Sequence, residues 1–243
     1  MLGKKFDLIV SLGFNCGCAS YLKKYNLRDY SYPYDWLYGS TFERKVDLIV
    51  NDFDGFLLKE NLRHFFHKGE EVKSHYSHYE DMGTGLCSIH DFPAGLSLDE
   101  SYGEVYAKYR RRIARLYEKG AHAREILFIW LSLNNAPSDE SVLEAQAALS
   151  RKFKKDVNVL VFENDSSLEG VQEVKLHPCA LKVKGPFDSG KGYLYSEYTP
   201  IDAVFSRING RKQYGHVLFR ILMRMCCWFV PSRHLRRKLR NIH

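Results

Sequence analysis

Hydrophobic and polar positions along this chain alternate between two periods. Asp7–Gly13 (DLIVSLG) is a short apolar run ended by glycine, the pattern of a strand buried on both faces. Asn15 then stands where a cap belongs, ahead of a helix beginning near Cys16 with Cys18, Ala19, Leu22 and Tyr25 at helical spacing. Ser40 and Glu43 form a capping-box pair before an apolar face of Phe42, Val46, Ile49, Val50 and Phe53. Ser97 and Glu100 repeat that signature and open a long helix whose stripe is Tyr102, Val105, Tyr106, Tyr109, Ile113, Leu116 and Tyr117. A strand at Ile126–Leu133, a helix at Glu140–Phe153, and strands at Val157–Phe162 and Val171–Leu176 complete the rhythm. Strands separated by helices of this length predict βα units: an α/β fold, with a mostly parallel sheet flanked by helices in three layers.

Three segments depart from it. Asp54–Pro93 is long, aromatic and histidine-rich without a period, and reads as an irregular insertion. Gly185–Pro200 carries glycines, prolines and tyrosines and reads as an exposed loop. Tyr214–Val230 is apolar except for His216, Arg220 and Arg224, which recur every four residues as one polar stripe of an amphipathic helix. Pro231 stops that helix, and Ser232 precedes a second, wholly basic one holding Arg236, Arg237, Lys238 and Arg240. Two arginines argue against a bilayer span, whereas a helix lying in the headgroup plane accommodates them, with Trp228 and Phe229 in the acyl boundary. The competing reading is a core helix followed by a solvated basic end.

Charge sharpens this division. Of 36 basic residues ten follow Asp202, where no acidic residue occurs, so the preceding 202 residues hold 26 basic against 29 acidic ones. A mildly acidic body thus carries a basic tail, with expected bounds of 1–205 and 206–243. The body's charge gives nucleic-acid binding no support, and the partner expected for the tail is an anionic membrane surface. No leader or spanning segment is read from the pattern, and the six cysteines form neither CxxC pairs nor a disulfide framework. The expected setting is reducing and cytoplasmic, peripheral on the inner membrane.

Cys16 is the leading candidate for chemistry. The first turn of a helix favours a thiolate, and backbone N–H groups around Asn15 and Gly17 would receive an oxyanion. The bland alternative is a buried, inert cysteine. A histidine cluster (His64, His67, His75, His78, Cys87, His90) matches no zinc framework, and SLGFNCG lacks the glycines of a dinucleotide or phosphate loop, so no metal and no cofactor are expected.

The strings SLGFNCGCA (11–19), SYPYDW (31–36), IHDF (89–92) and KYRRRIARL (108–116) resemble, in order, a bacterial family of unknown function labelled putative papain-like cysteine peptidases. The likeness covers roughly residues 6–135. Tyr34 stands where phenylalanine is commoner, and Trp130 where arginine is frequent. The resemblance implies Cys16 as nucleophile and His90 as its base, with room for an acidic partner; Arg111 or Arg112 would meet an anionic substrate. If IHDF is extended, Asp91 faces away from His90, which makes Asp35 a comparable candidate for orienting the imidazole. Strand, glycine turn, nucleophile and helix is also the arrangement of GDSL-type esterases and some acyltransferases, so the expected architecture is Rossmann-like or GDSL-esterase-like. By that analogy Asn134 would supply a further oxyanion donor.

The expected function is a cysteine-nucleophile hydrolase or acyltransferase acting on an ester, thioester or amide of a carbohydrate or acyl substrate. Bacterial surface-polysaccharide assembly at the inner membrane face is the suggested setting. The alternatives are a papain-like peptidase and a non-catalytic, membrane-docked accessory protein of glycan assembly.

Overall fold

The computed structural model describes residues 1–66, 75–132, 134–187 and 200–208. The tail residues Arg220, Arg224, Trp228, Phe229, Arg236, Arg237, Lys238 and Arg240 lie outside them, as do 188–199.

Among the described residues two sheets are present. The first holds β1 (Leu8–Ser11), β6 (Ile126–Leu131), β7 (Val157–Asn164), β9 (Ala180–Gly185) and β8 (Gln172–His177), in that spatial order. β1, β6, β7 and β9 are parallel, and β8 closes the far edge antiparallel to β9. Among the described residues strand order runs one way from β1 through β6 and β7 to β9, and the antiparallel β8 follows at the edge.

Side-chain alternation splits this sheet into two buried faces. Val10, Phe128, Trp130, Val159 and Val161 meet one core, shared with α2 (Phe42–Val50), α3 (Leu98–His122) and α4 (Asp139–Phe153). Ile9, Leu127, Ile129, Leu131, Leu160 and Phe162 meet the other, shared with α1 (Cys16–Lys24) and α5 (Pro200–Phe205). Every residue of β6 is buried, which is why its sequence (ILFIWL) is continuously apolar rather than alternating. Gly120 of α3 is required by packing: a Cβ there would lie 2.4 Å from the Phe153 ring on α4.

The second sheet corrects the expectation of an irregular insertion. β3 (Leu62–Phe65), β4 (Tyr76–Asp81) and β5 (Leu86–Pro93) form an antiparallel meander, joined at β5 by the short β2 (Leu37–Gly39). A register shift between Ser77 and Tyr79 helps explain the missing period, because a bulge breaks the alternation. Asp81 organises its hairpin from a buried position, accepting from Leu57 N, Gly83 N and Thr84 Oγ1.

Cap chemistry is mixed. Ser97 and Glu100 form the expected reciprocal box at α3. At α2 the cap is Thr41, accepting from Arg44 N, while Ser40 adopts φ +63° and donates its hydroxyl to Thr84 O.

Candidate active site at the first strand-to-helix turn

The turn between β1 and α1 is fastened from three sides. Leu12 N and Phe14 N donate to Ile129 O and Leu131 O at 2.8 and 3.1 Å, carrying the β1–β6 ladder past the end of the strand. Phe14 O accepts from Gly39 N at 2.8 Å, which ties the turn to the second sheet. Gly13 leaves room for α1: a Cβ there would lie 2.5 Å from Cys18 Cβ. Asn15 caps the helix as expected, its Oδ1 accepting from Gly17 N at 2.9 Å. That bond occupies the Gly17 N–H, so the resting turn does not offer this donor to an oxyanion.

Cys16 is therefore the first residue of α1, half-buried at the carboxyl edge of the parallel sheet. Its pKa departs from expectation in direction. Burial raises the thiol above its ordinary value near 9.0, and its own backbone N–H only partly opposes this. Among the described residues no hydrogen bond joins Cys16 to a histidine. Cys18, two residues further along α1, is fully buried, contacts Ile129 O at 3.7 Å, and is pushed up to about 12 by burial.

The second sheet distributes the other candidates. His90 is exposed on β5, its ring meeting Trp36 and Tyr76 edge-on at 6.5 and 6.2 Å between centroids. Asp91 faces the opposite way into the core, where it accepts from Ser88 Oγ at 2.7 Å and Tyr109 OH and pairs with Lys108 Nζ at 2.6 Å. Burial alone would raise its pKa, but the bonds from Lys108 and Tyr109 hold it below the usual carboxylate value. Asp35 is fully buried at the PYDW turn, accepting from Arg28 Nη1 at 2.8 Å and Tyr32 N at 2.9 Å. Burial raises its pKa, with Arg28 opposing, and its Oδ1 has no partner. Among the described residues no hydrogen bond or ion pair joins either carboxylate to His90. Cys87 pairs with Tyr38, whose ring meets Phe14 at 5.0 Å; His90 stands three residues further along β5, about 10 Å of strand.

Asn134 is exposed just past the carboxyl end of β6, on the same edge of the sheet as Cys16. Arg111 is exposed on α3. Arg112 is half-buried with its guanidinium 5.0 Å from the Tyr109 ring and one buried Nη1 unpartnered.

Sequence reasoning missed Lys45. This α2 residue is fully buried, its Nζ donates to Gly13 O at 2.6 Å, and it stands 5.4 Å from the ring centres of both Tyr34 and Trp130. Burial lowers its pKa to about 7, and only the Cys18 thiol acts electrostatically against that shift. The signal was its spacing: Lys45 lies between Phe42 and Ile49 on the apolar face itself.

These elements define an α/β protein with a cysteine at a strand-to-helix turn, backed by a four-stranded antiparallel sheet. The chain belongs to the family described as "Putative papain-like cysteine peptidase (DUF1796)", whose model matches residues 7–164. It is also 29% identical over 136 residues to "Uncharacterized protein R408" of Acanthamoeba polyphaga mimivirus, which is 50% of this chain and 60% of that protein. The chain thus spans about three fifths of that relative's length. No solved structure matches the chain.

Proposed function

We propose that the protein is a cysteine-dependent hydrolase or acyltransferase in which Cys16 attacks an ester, thioester or amide carbonyl. The observation that carries this reading is the half-buried Cys16 at the first position of α1, on the carboxyl edge of the parallel sheet. Membership in the family described as "Putative papain-like cysteine peptidase" supports cysteine-dependent hydrolysis at that coarse level. In the reaction a carbon–sulfur bond forms, the carbonyl oxygen takes the negative charge, and collapse expels the alcohol, thiol or amine. Water or an acceptor hydroxyl then releases the acyl group.

The raised thiol pKa gives this chemistry a signature. Without a preformed imidazolium partner the nucleophile ionises on the alkaline side, so reactivity climbs as pH rises through and beyond 9. A carbohydrate or acyl substrate presented at an anionic membrane accords with the basic composition after Asp202.

The test is pH-dependent labelling of the native full chain with iodoacetamide, read by peptide mass spectrometry, alongside turnover of a p-nitrophenyl ester and a fluorogenic peptide. Cys16 is expected to be modified in the folded protein with an alkaline midpoint, and Cys16→Ala to abolish turnover. Peptide cleavage without ester cleavage would make it a peptidase. Protection of Cys16 until the protein unfolds would refute catalysis and leave the accessory role.

A further inference from the structure

A concave site lies at the other end of α1 from Cys16. We propose that it binds a small molecule bearing a diphosphate group. The cavity measures about 940 Å³ and is walled by the ends of α1 and α3 and by the start of β1. Lys23 lines it, seven residues along α1 from Cys16, or about 10 Å of helix axis, so the two sites occupy opposite ends of one helix.

The walls are cationic. Lys23, Arg28, Arg115, Lys119 and Arg124 contribute to them, against Asp7 and Asp29. Asp7 is already occupied, accepting from the backbone N–H groups of Arg124 and Glu125 at 2.9 and 3.1 Å. Arg28 is neutralised by Asp35. Lys23, Arg115, Lys119 and Arg124 form no ion pair among the described residues. Arg115 is nevertheless pre-positioned, with Nη1 donating to Ser31 O at 2.9 Å and its guanidinium 5.1 Å from the Tyr30 ring centre. Lys119 approaches the same ring at 5.5 Å. Asn26, which also lines the cavity, has a side-chain amide nitrogen with no acceptor.

Compensation of helix dipoles accounts for part of this charge, because Lys23 and Lys119 sit in last turns. It does not account for Arg115, seven residues before the end of α3, or for Arg124 beyond it. Nor does it require a concavity near the upper end of the range for small-molecule sites. Unpaired guanidinium and ammonium groups on converging walls recognise phosphate oxygens, and two adjacent phosphates answer several cations at once. The diphosphate could come from a soluble ester or from a lipid headgroup.

Titration calorimetry of the full chain with inorganic pyrophosphate tests the site. Binding is expected, and Lys23→Gln with Lys119→Gln should weaken it about a hundredfold, tenfold for each cation removed. Neither residue anchors the core, and an unchanged thermal midpoint would confirm that the variant folds. Absence of heat with the wild type would overturn the proposal. Equal affinity in the double variant would do the same, assigning the heat to basic residues after 208. Competition by phosphatidylcholine vesicles containing a lipid diphosphate, but not by vesicles of equal charge containing phosphatidylglycerol, would mark the source as a headgroup; no competition by either would mark it as a soluble ester. Iodoacetamide labelling of Cys16 should be unchanged in the double variant, which keeps this site separable from the proposed nucleophile.

Discussion

Methionine at position 45 keeps the length of the lysine stem while removing its charge. Lys45 has no accessible surface, and burial brings its pKa from 10.5 to about 7. Between those values the unfolded chain holds a proton that the folded protein does not, so stability rises with pH across that window. Below pH 7 the amine is charged in both states and the full penalty applies; above 10.5 it is neutral in both and none remains. The linkage integral gives a penalty of roughly 4 kcal/mol at pH 7 and roughly 2 kcal/mol at pH 9. No neighbouring anion cancels it, because the Cys18 thiol, pushed up to about 12, is neutral throughout that interval. The faces of Tyr34 and Trp130 and the Gly13 carbonyl are what the ammonium has instead.

Urea unfolding of the wild type and Lys45→Met at pH 7 and pH 9 isolates this term, since every other group is common to both proteins. The wild type should gain about 2 kcal/mol on the variant over that interval. At pH 7 the variant should equal or exceed the wild type, because leaving Gly13 O unpartnered costs about 1–3 kcal/mol, less than the charge penalty removed. Parallel pH curves for the two proteins would refute the reasoning and mean that Lys45 is solvated or paired in solution.

Asp35→Asn strands Arg28 beside a buried, uncharged amide and should lower unfolding free energy by about 3 kcal/mol in urea; a loss well under 1 kcal/mol would show that the pair does not support the PYDW turn. Asp91 is held below the usual carboxylate value, so its contribution is present above an ordinary pKa near 3.8 and disappears as pH falls through the lower folded value. The stability gap between wild type and Asp91→Asn, followed by acid titration of the fluorescence signal, should accordingly narrow below pH 4. Gly13→Ala forces a Cβ within 2.5 Å of Cys18 Cβ and should cost about 1–3 kcal/mol, read as a lowered thermal midpoint. His90→Ala should leave the pH midpoint of Cys16 alkylation unchanged, because no bond joins the two in the resting protein; an alkaline shift would mean that they do communicate.

What could be read from the sequence followed from regular period and cap chemistry. β1, α1 with its Asn15 cap, the Ser97–Glu100 box, β6, α4 and β7 all rest on such local signals. The opposite orientations of His90 and Asp91 followed from the two-residue period of a strand. The second sheet was hidden because β2 is only three residues long and β4 carries a bulge, so neither shows sustained alternation. β9 (ALKVKG) was obscured by lysines, yet Lys182 is buried there through ion pairs with Asp139 and Glu163, partners distant in sequence. For the site, position was legible and electrostatics were not. A helix N-terminus suggests a depressed thiol pKa, but the depth at which Cys16 sits is a tertiary property, and it reverses the sign.

Position 130 shows how β6 and α2 make one electrostatic unit. In the fold the Trp130 ring is fully buried, with Nε1 donating to Asn135 O at 2.9 Å and an edge contact with Phe42. The cation beside that ring comes from Lys45 on α2, directed at the Gly13 carbonyl two residues before the cap of α1. The charge beside β6 thus arrives from a helix, with the indole as the face it rests on. Lysine suits this arrangement better than arginine would: it can be neutral near pH 7 within a dry core, whereas a guanidinium stays charged there. The turn that presents Cys16 is thus held by a group whose own charge depends on pH near neutrality.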